Sequence, residues 1–329
     1  TAGASGIPAA LVVPHVSADD SPRSRQTRVG AHLKLQHASR LLVQGQDWQA
    51  CGVMERRPGS EPFWHANGAW IKPAALVHAL LAQSRCQFLG GVQVQAFNRA
   101  GGAWQLKDSR GAFHGDFDVV VVATAAACKS LPSQLADDLE WADDVREKLA
   151  ALQPVHGTLS CGHYLDAEDV LAGPPLNGNG CFIPSVPGDK GIHWYAGSSF
   201  ETDPLRAADL GAQHADNMVK LRSLLGEEGQ DWWQALEGGP ISLWTATRCV
   251  AHDRLPLVGT ALKDPQAGLW LCSGMGSRGM SFSALCAEWI AARLGAEPWP
   301  VESSLARSLD LRRPRRIKPF ATTTPPAAD

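Results

Sequence analysis

The 329-residue chain has no apolar run long enough to cross a bilayer: the longest, Val119 to Cys128, falls well short of the ~20 residues a spanning helix needs. No signal-peptide pattern opens it and no lipidation motif closes it, so no membrane partner is expected and a cytoplasmic location is. No two of its eight cysteines (51, 86, 128, 161, 181, 249, 272 and 286) form a Cys-x-x-Cys pair, and they read as free thiols of a reducing compartment. There is no His-x-x-x-His, and Cys161 with His163 is too sparse a pattern to imply a metal. Net charge is also scarce. The balance of −3 excludes a generic polyanion binder, so any nucleic-acid contact must come from a local patch. No solenoid period is present. With 44% hydrophobic and 19% charged residues, general disorder is excluded. The length suits two domains or one large one.

What is present reads as mixed α/β. Residues 27–43 and Pro73 to Ala82 have helical apolar spacing, the second opened by proline. Gln87 to Phe97 alternates around Val92 and Val94, as a strand does. Ala103–Lys107 and Ala112–Phe113 flank an Asp-Ser-Arg-Gly turn and predict a hairpin. The run from Asp118 through four valines to Ala123-Thr124-Ala125 predicts a strand covered on both faces in a parallel sheet. Residues 154–200, rich in Gly, Pro and Asn, predict antiparallel sheet, and Ala207 to Leu225 a helix. Gly268 to Ser273 reads as another buried strand. It leads into Gly274-Met-Gly-Ser-Arg-Gly279 and a helix from about Phe282 to Leu294. That order resembles one half of a nucleotide-binding sheet, in which glycines admit a ligand to the backbone and a helix N-terminus aims N–H groups at it. A tight turn is the alternative.

Thr247-Arg-Cys-Val-Ala-His-Asp-Arg-Leu-Pro-Leu-Val-Gly259, followed by Gly274-Met-Gly-Ser-Arg-Gly279, resembles the FAD-dependent oxidoreductase half of the bifunctional tRNA wobble-uridine enzymes, the MnmC family, within the D-amino-acid oxidase and glycine oxidase superfamily. Gly3-Ala-Ser-Gly6 with Pro14, Trp48 to Met54, and Gly68-Ala-Trp-Ile-Lys-Pro73 agree with it. The resemblance runs from residue 1 to about 316. It implies an α/β FAD-binding fold with an inserted antiparallel substrate domain. The FAD-binding domain is expected over 1–38, 69–153 and 245–316, the substrate domain over 39–68 and 154–244, and a flexible tail over 317–329. The family opens with a βαβ unit and a Gly-x-Gly-x-x-Gly loop for the FAD pyrophosphate. That unit is expected to lie ahead of Gly3, so processing or truncation upstream of Thr1 is expected.

The resemblance also implies an activity: FAD-dependent oxidative removal of the carboxymethyl group from carboxymethylaminomethyluridine in tRNA, giving the aminomethyl nucleoside and glyoxylate. An oxidase of glycine, sarcosine or a D-amino acid, and an inactive fragment lacking FAD, stay open as alternatives. Arg248 matches the position that holds a substrate carboxylate, for which a guanidinium gives a bidentate fork; a surface ion pair is the plain alternative. Arg278 is the second catalytic candidate, or else a loop-stabilising residue. Cys181, in Gly180-Cys-Phe-Ile-Pro184, stands where relatives carry tyrosine and is expected beside the substrate. FAD contacts are implied for Gly3, Ser5 and Gly6, for Val92 and Val94, and for Ala123 and Thr124. The C-terminal loop adds Gly274, Gly276, Ser277, Gly279 and Met280. Several of the 12 tryptophans, such as Trp64, Trp70 or Trp194, could stack on a nucleobase or simply pack. From Ser303 onward six basic residues face two acidic ones. Arg312, Arg313, Arg315, Arg316 and Lys318 are therefore candidate tRNA phosphate contacts. A methyltransferase domain, fused or separate, is a possible partner.

Overall fold

The computed structural model describes residues 3–83, 85–237 and 239–314, which form two compact units. The first is drawn from residues up to 91, 154–248 and 277–301; the second from 92–153, 249–276 and 302 onward. The segments 39–68 and 154–244 both fall in the first unit.

In the first unit a small antiparallel sheet places β5 (Ala69–Ile71) between β1 (Ala10–Val12) and β2 (Trp48–Ala50), with Ile71 opposite both Ala10 and Trp48. Helix α1 (Pro22–Leu41) starts where the Ser21 hydroxyl accepts the Ser24 N–H and Pro22 supplies a preset φ. α2 (Pro73–Gln83) also opens on proline, as the sequence predicts. The last helix of this unit, α8 (Gly279–Gly295), crosses α1 at Gly30. A Cβ at Gly30 would run into the Ser281 carbonyl, so glycine is what lets the two helices approach. The Ser281 hydroxyl donates to the Val13 carbonyl at 3.1 Å and ties the start of α8 to the end of β1.

A seven-stranded sheet completes the unit. Its order is β14 (Ile241–Val250), β10 (Gln153–His163), β13 (Gly191–Gly197), β12 (Gly180–Gly188), β11 (Leu176–Gly178), β3 (Val53–Glu55) and β4 (Phe63–His65). From β10 through β13 and β12 to β11 the pairing is antiparallel, as expected for 154–200; β11 then pairs parallel with β3, and β3 antiparallel with β4. The predicted helix over 207–225 is two helices, α5 (Pro204–Ala208) and α6 (Leu210–Leu225), because Asp209 leaves the helical conformation to cap α6 by accepting the Ala212 N–H. α6 packs on β12 and β13, burying Leu221 and Leu224 against Phe182 and Trp194. Trp194 is thus core and not an exposed stacking platform. α7 (Gln230–Glu237) follows.

In the second unit β6 (Val94–Ala100), β7 (Ala103–Asp108) and β8 (Phe113–Phe117) form a meander. The Asp108 carboxylate shapes the predicted turn by accepting the Arg110 and Ala112 N–H groups, each at 2.9 Å. β6 starts only at Val94; Gly90 and Gly91 interrupt the strand expected from 87, leaving Val92 outside it. A second sheet runs β15 (Leu257–Thr260), β16 (Leu269–Ser273) and β9 (Val120–Val122), with β16 and β9 parallel. The valine strand differs from expectation. β9 is an edge, Val120 and Val122 are buried, and Val119 and Val121 are exposed, so one face is covered and not two. Trp104, fully buried, donates its indole N–H to the Ala267 carbonyl at 2.6 Å, within a core that includes Leu131, Leu149, Leu152 and Leu271. Short helices α3 (Leu131–Gln134), α4 (Val145–Ala150) and α9 (Ser303–Leu309) surround it. Among the described residues no helix is long and apolar enough to cross a membrane, and no group of three or more His, Cys, Asp or Glu residues could hold a metal.

Candidate active site

The first unit holds a cavity of about 700 Å³, open to solvent on one side and within the range of small-molecule sites. Of the residues singled out by sequence, Arg248, Arg278, Cys181, Ser277 and Met280 line it. Gly3, Ser5 and Gly6 belong to the same unit, on a 3₁₀ turn at its start, but are not in the cavity wall. Gly279 is the first residue of α8.

At one end stands Arg248, carried on β14. Its Nη1 donates to the Ser199 carbonyl at 3.2 Å and its Nη2 to the Ser198 hydroxyl, and the guanidinium lies 5.8 Å from the Phe200 ring centroid. These partners are neutral. Gly157 of β10 lies opposite: a Cβ there would come within 2.6 to 2.9 Å of the guanidinium and push it aside. Burial pulls the Arg248 pKa below its usual value, opposed by the nearby Cys181 thiol. Burial likewise pushes Cys181 up to about 11, so it stays a neutral thiol beside the cation. A fixed, desolvated cation with only neutral partners is a receptor for an anion.

Behind Arg248 the Ser198–Ser199 turn is anchored by buried polar groups. The Ser199 hydroxyl accepts the Thr158 N–H at 2.8 Å and donates to Gln213 Oε1 on α6. Gln213 also accepts the Thr158 hydroxyl at 2.8 Å and donates to the Ala207 carbonyl at 2.7 Å. Asn217, one turn on, donates to the Thr158 carbonyl at 2.9 Å. Gln213 and Ser199 are each 4% exposed, which makes these bonds costly to break.

The other end collects Arg278, His15, Arg57 and Glu55. Glu55 is occupied: its carboxylate bonds Arg57 on one oxygen and His65 Nε2, at 2.6 Å, on the other. Burial works to raise the Glu55 pKa, but the bonds from His65 and Arg57 outweigh it and hold the group below its usual range. Burial first, then Arg23, Arg278 and Arg57, lower His15 to about 4, so its imidazole is neutral and has one acceptor nitrogen. Arg23 approaches Nε2 at 2.7 Å and Arg278 approaches Nδ1 at 3.3 Å. A neutral ring can accept from only one of these two guanidiniums at a time. Burial, then the neighbouring Arg23, lower Arg278 to about 10. Arg278 is also the N-cap of α8, where no side chain caps the helix and no acidic residue occupies the first turn. Orphan N–H groups and a guanidinium share one spot.

Val92, Val94, Ala123, Thr124, Gly274 and Gly276 lie in the second unit. There the carboxyl ends of the parallel pair bring Ala123 and Thr124 beside Ser273 and Gly274, with the Ser273 hydroxyl donating to the Ala125 carbonyl at 3.0 Å. Such strand ends are where open α/β sheets take ligands. Gly274 and Gly276 have φ of +74° and +59°, a region other residues avoid.

Arg313 is a correction. Its guanidinium pairs with Asp253 at 2.8 and 2.9 Å and donates to the Pro256 carbonyl at 2.7 Å, turned into its own unit and not towards solvent phosphates. Arg312 donates to the Leu262 carbonyl at 2.5 Å. Arg315, Arg316 and Lys318 lie outside the described residues. Sequence reasoning missed His15, Glu55, Arg57, Lys220, Ser198 and Gly157, which belong to no motif and meet only through the fold.

The chain is 42% identical over 321 residues to the tRNA 5-methylaminomethyl-2-thiouridine biosynthesis bifunctional protein MnmC of Albidiferax ferrireducens, covering 95% of this chain and 53% of that protein. To the protein of the same name from Polaromonas naphthalenivorans it is 36% identical over 358 residues, covering 97% and 55%. The chain thus spans about half the length of these curated relatives. Its fold is that of glycine oxidase from Geobacillus kaustophilus, with a TM-score of 0.65 at 14% identity over 96% of this chain and 90% of that one. Iminodiacetate oxidase from a Chelativorans species gives 0.64 at 14% identity over 91% and 88%. The profile of the FAD dependent oxidoreductase family matches residues 16–293, most of the chain, and the chain belongs to that family.

Proposed function

We propose that this chain removes the carboxymethyl group from carboxymethylaminomethyluridine at the wobble position of tRNA, releasing glyoxylate and leaving the aminomethyl nucleoside. The observation that carries this reading is Arg248, a half-buried guanidinium whose hydrogen-bond partners are neutral, on the wall of the open cavity. A glycine-like carboxylate is its natural complement.

FAD fits the first unit on two observations. The uncapped N-terminus of α8 and the Arg278 guanidinium, whose hydrogen-bond partner at His15 is a neutral ring, together call for an electron-rich, partly anionic edge, which a flavin ring offers. Ser277, Arg278, Gly279 and Met280 would hold it there, with Gly3, Ser5 and Gly6 as further backbone contacts. Within the second unit taken by itself, the small residues Ala123, Thr124, Gly274 and Gly276 leave the backbone at the strand ends open to a ligand. When bound, FAD supplies the acceptor for two electrons.

The chain's own residues bind and polarise. Arg248 fixes the carboxylate, and with it the adjacent methylene. Neutral Cys181 adds no negative charge against that carboxylate. The secondary amine must be unprotonated to be oxidised, and the cations Arg248 and Lys220 disfavour the ammonium form. Loss of two electrons and two protons across the N–CH₂ bond gives an imine. Water then splits it into the aminomethyl nucleoside and glyoxylate. The tRNA assignment draws on the names of the relatives, whose remaining half would correspond to a methyltransferase partner.

The test is to give the protein, under air, tRNA bearing carboxymethylaminomethyluridine, and separately glycine, sarcosine and D-alanine. Aminomethyluridine and glyoxylate should appear in equal amounts with tRNA, with kcat/KM at least about a hundredfold above any free amino acid, a gap of ~2.7 kcal/mol. Comparable turnover of glycine or sarcosine would make the chain a small-molecule oxidase.

A further inference from the structure

Helix α6 carries Gln213, Asn217 and Lys220 at spacings of four and three, which puts them on one face. The first two hold Thr158 and the Ser199 turn from behind. The third reaches the cavity itself. The Lys220 stem passes over Gly180, where an added Cβ would sit 3.5 Å from the lysine Cβ. Its Nζ approaches the Ser198 carbonyl at 3.5 Å, a long contact, while Arg248 donates to the hydroxyl of the same serine. Two cations on different elements therefore converge on Ser198. Neither has a carboxylate within ion-pair distance among the described residues; Asp216, a turn back on α6, acts on Lys220 only at longer range. Burial lowers the Lys220 pKa, Asp216 works against that, and Arg248 adds a smaller push downwards. A protein gains nothing in stability from such a pair, and an anion placed between the two relieves it.

We propose that Lys220 is a second substrate-binding cation, and that Arg248 and Lys220 share the carboxylate of the substrate around Ser198. The idea rests on the carboxymethylamine reading above and deepens it. Arg248 gives the angle of the carboxylate through its planar fork. Lys220 adds a point charge on the side of β12, against Gly180. A ligand with a neutral amide in place of the carboxylate can use neither charge. Gln213 and Asn217 are positioning residues: they fix the turn on which both cations converge.

The experiment is calorimetric titration of the protein with glycolate, and with its neutral isostere glycolamide, for wild type, Lys220→Met and Lys220→Arg. Lys220→Met should weaken glycolate about tenfold, the loss of one charge-assisted bond, and leave glycolamide unchanged. Lys220→Arg should restore glycolate to within about threefold of wild type, which a merely structural lysine would not explain. In turnover, Lys220→Met should raise KM, and the pH profile of kcat should move to higher pH because the ammonium form of the amine is no longer opposed by that charge. Equal glycolate affinity in wild type and Lys220→Met overturns the proposal. So does inorganic phosphate binding more tightly than glycolate, which would make the pair a phosphate site. These titrations require no tRNA. Absence of glyoxylate from the modified tRNA would sink the functional reading and leave this inference to stand or fall on glycolate.

Discussion

Arg313 and Arg248 are both half-buried arginines with several hydrogen bonds, and the sequence alone makes each a candidate for binding an anion. Arg313 meets Asp253 on two nitrogens and backbone carbonyls with the rest, so its charge is cancelled inside the second unit. Arg248 meets a hydroxyl and a carbonyl, and among the described residues no carboxylate pairs with it. The number of bonds does not separate them; the charge of the partners does. A guanidinium matched by a carboxylate belongs to the fold, and one matched only by neutral groups keeps its attraction for a ligand.

The sharpest way to break this contrast is to remove each arginine and read both stability and activity. Arg248→Met should lower kcat/KM for the carboxymethyl substrate about a thousandfold, ~4 kcal/mol of transition-state binding. Urea unfolding should show its stability unchanged or slightly raised, because a desolvated unpaired charge is gone. Arg313→Met should do the reverse. It strands Asp253 and should lower unfolding free energy by about 3 kcal/mol while leaving KM at its wild-type value. If Arg248→Met proves as destabilising as Arg313→Met, Arg248 is a structural residue.

Smaller effects sharpen the picture. Gly157→Ala places a methyl group against the Arg248 guanidinium and should raise KM about tenfold with less than about 1 kcal/mol lost in stability. An unchanged KM would mean that Arg248 has room to move. His15 concerns the opposite end of the cavity. Its folded pKa of about 4 lies below the model-peptide value of 6.5, so between these two values the unfolded chain binds the extra proton. Its contribution to stability is complete above about pH 6.5 and is lost as pH falls towards 4. His15→Gln should flatten that part of the profile of melting temperature against pH. A profile of wild-type slope would remove His15 from the account.

The helices and the antiparallel region were legible because their signals are local. Pro73 presets the first turn of α2 and Asp108 closes the β7–β8 hairpin on itself, whereas α1, expected from residue 27, starts five residues earlier at Pro22 behind the Ser21 cap. The valine strand misled because composition reports that a segment is apolar and not which neighbours cover it. Val119 and Val121 are as apolar as Val120 and Val122, yet only the second pair is buried. In the cavity, Arg248 and Arg278 could be picked out because each sits in a compact motif. His15, Glu55 and Lys220 come from the loop after β1, from β3 and from α6, far apart in sequence and without a shared pattern. Nor could sequence show that Arg313 is matched by Asp253, sixty residues away.

The account turns on Arg248 gripping a carboxylate through a two-pronged fork, and Arg248→Lys tests this most directly because it keeps the charge and removes the fork. The measurement is the steady-state rate of glyoxylate release from carboxymethylaminomethyluridine tRNA by wild type and Arg248→Lys, at equal flavin absorbance. The account predicts that wild type releases glyoxylate and that the variant falls in kcat/KM by about a hundredfold, ~2.7 kcal/mol, with the flavin spectrum unaltered. Equal kinetics in the two proteins would contradict it.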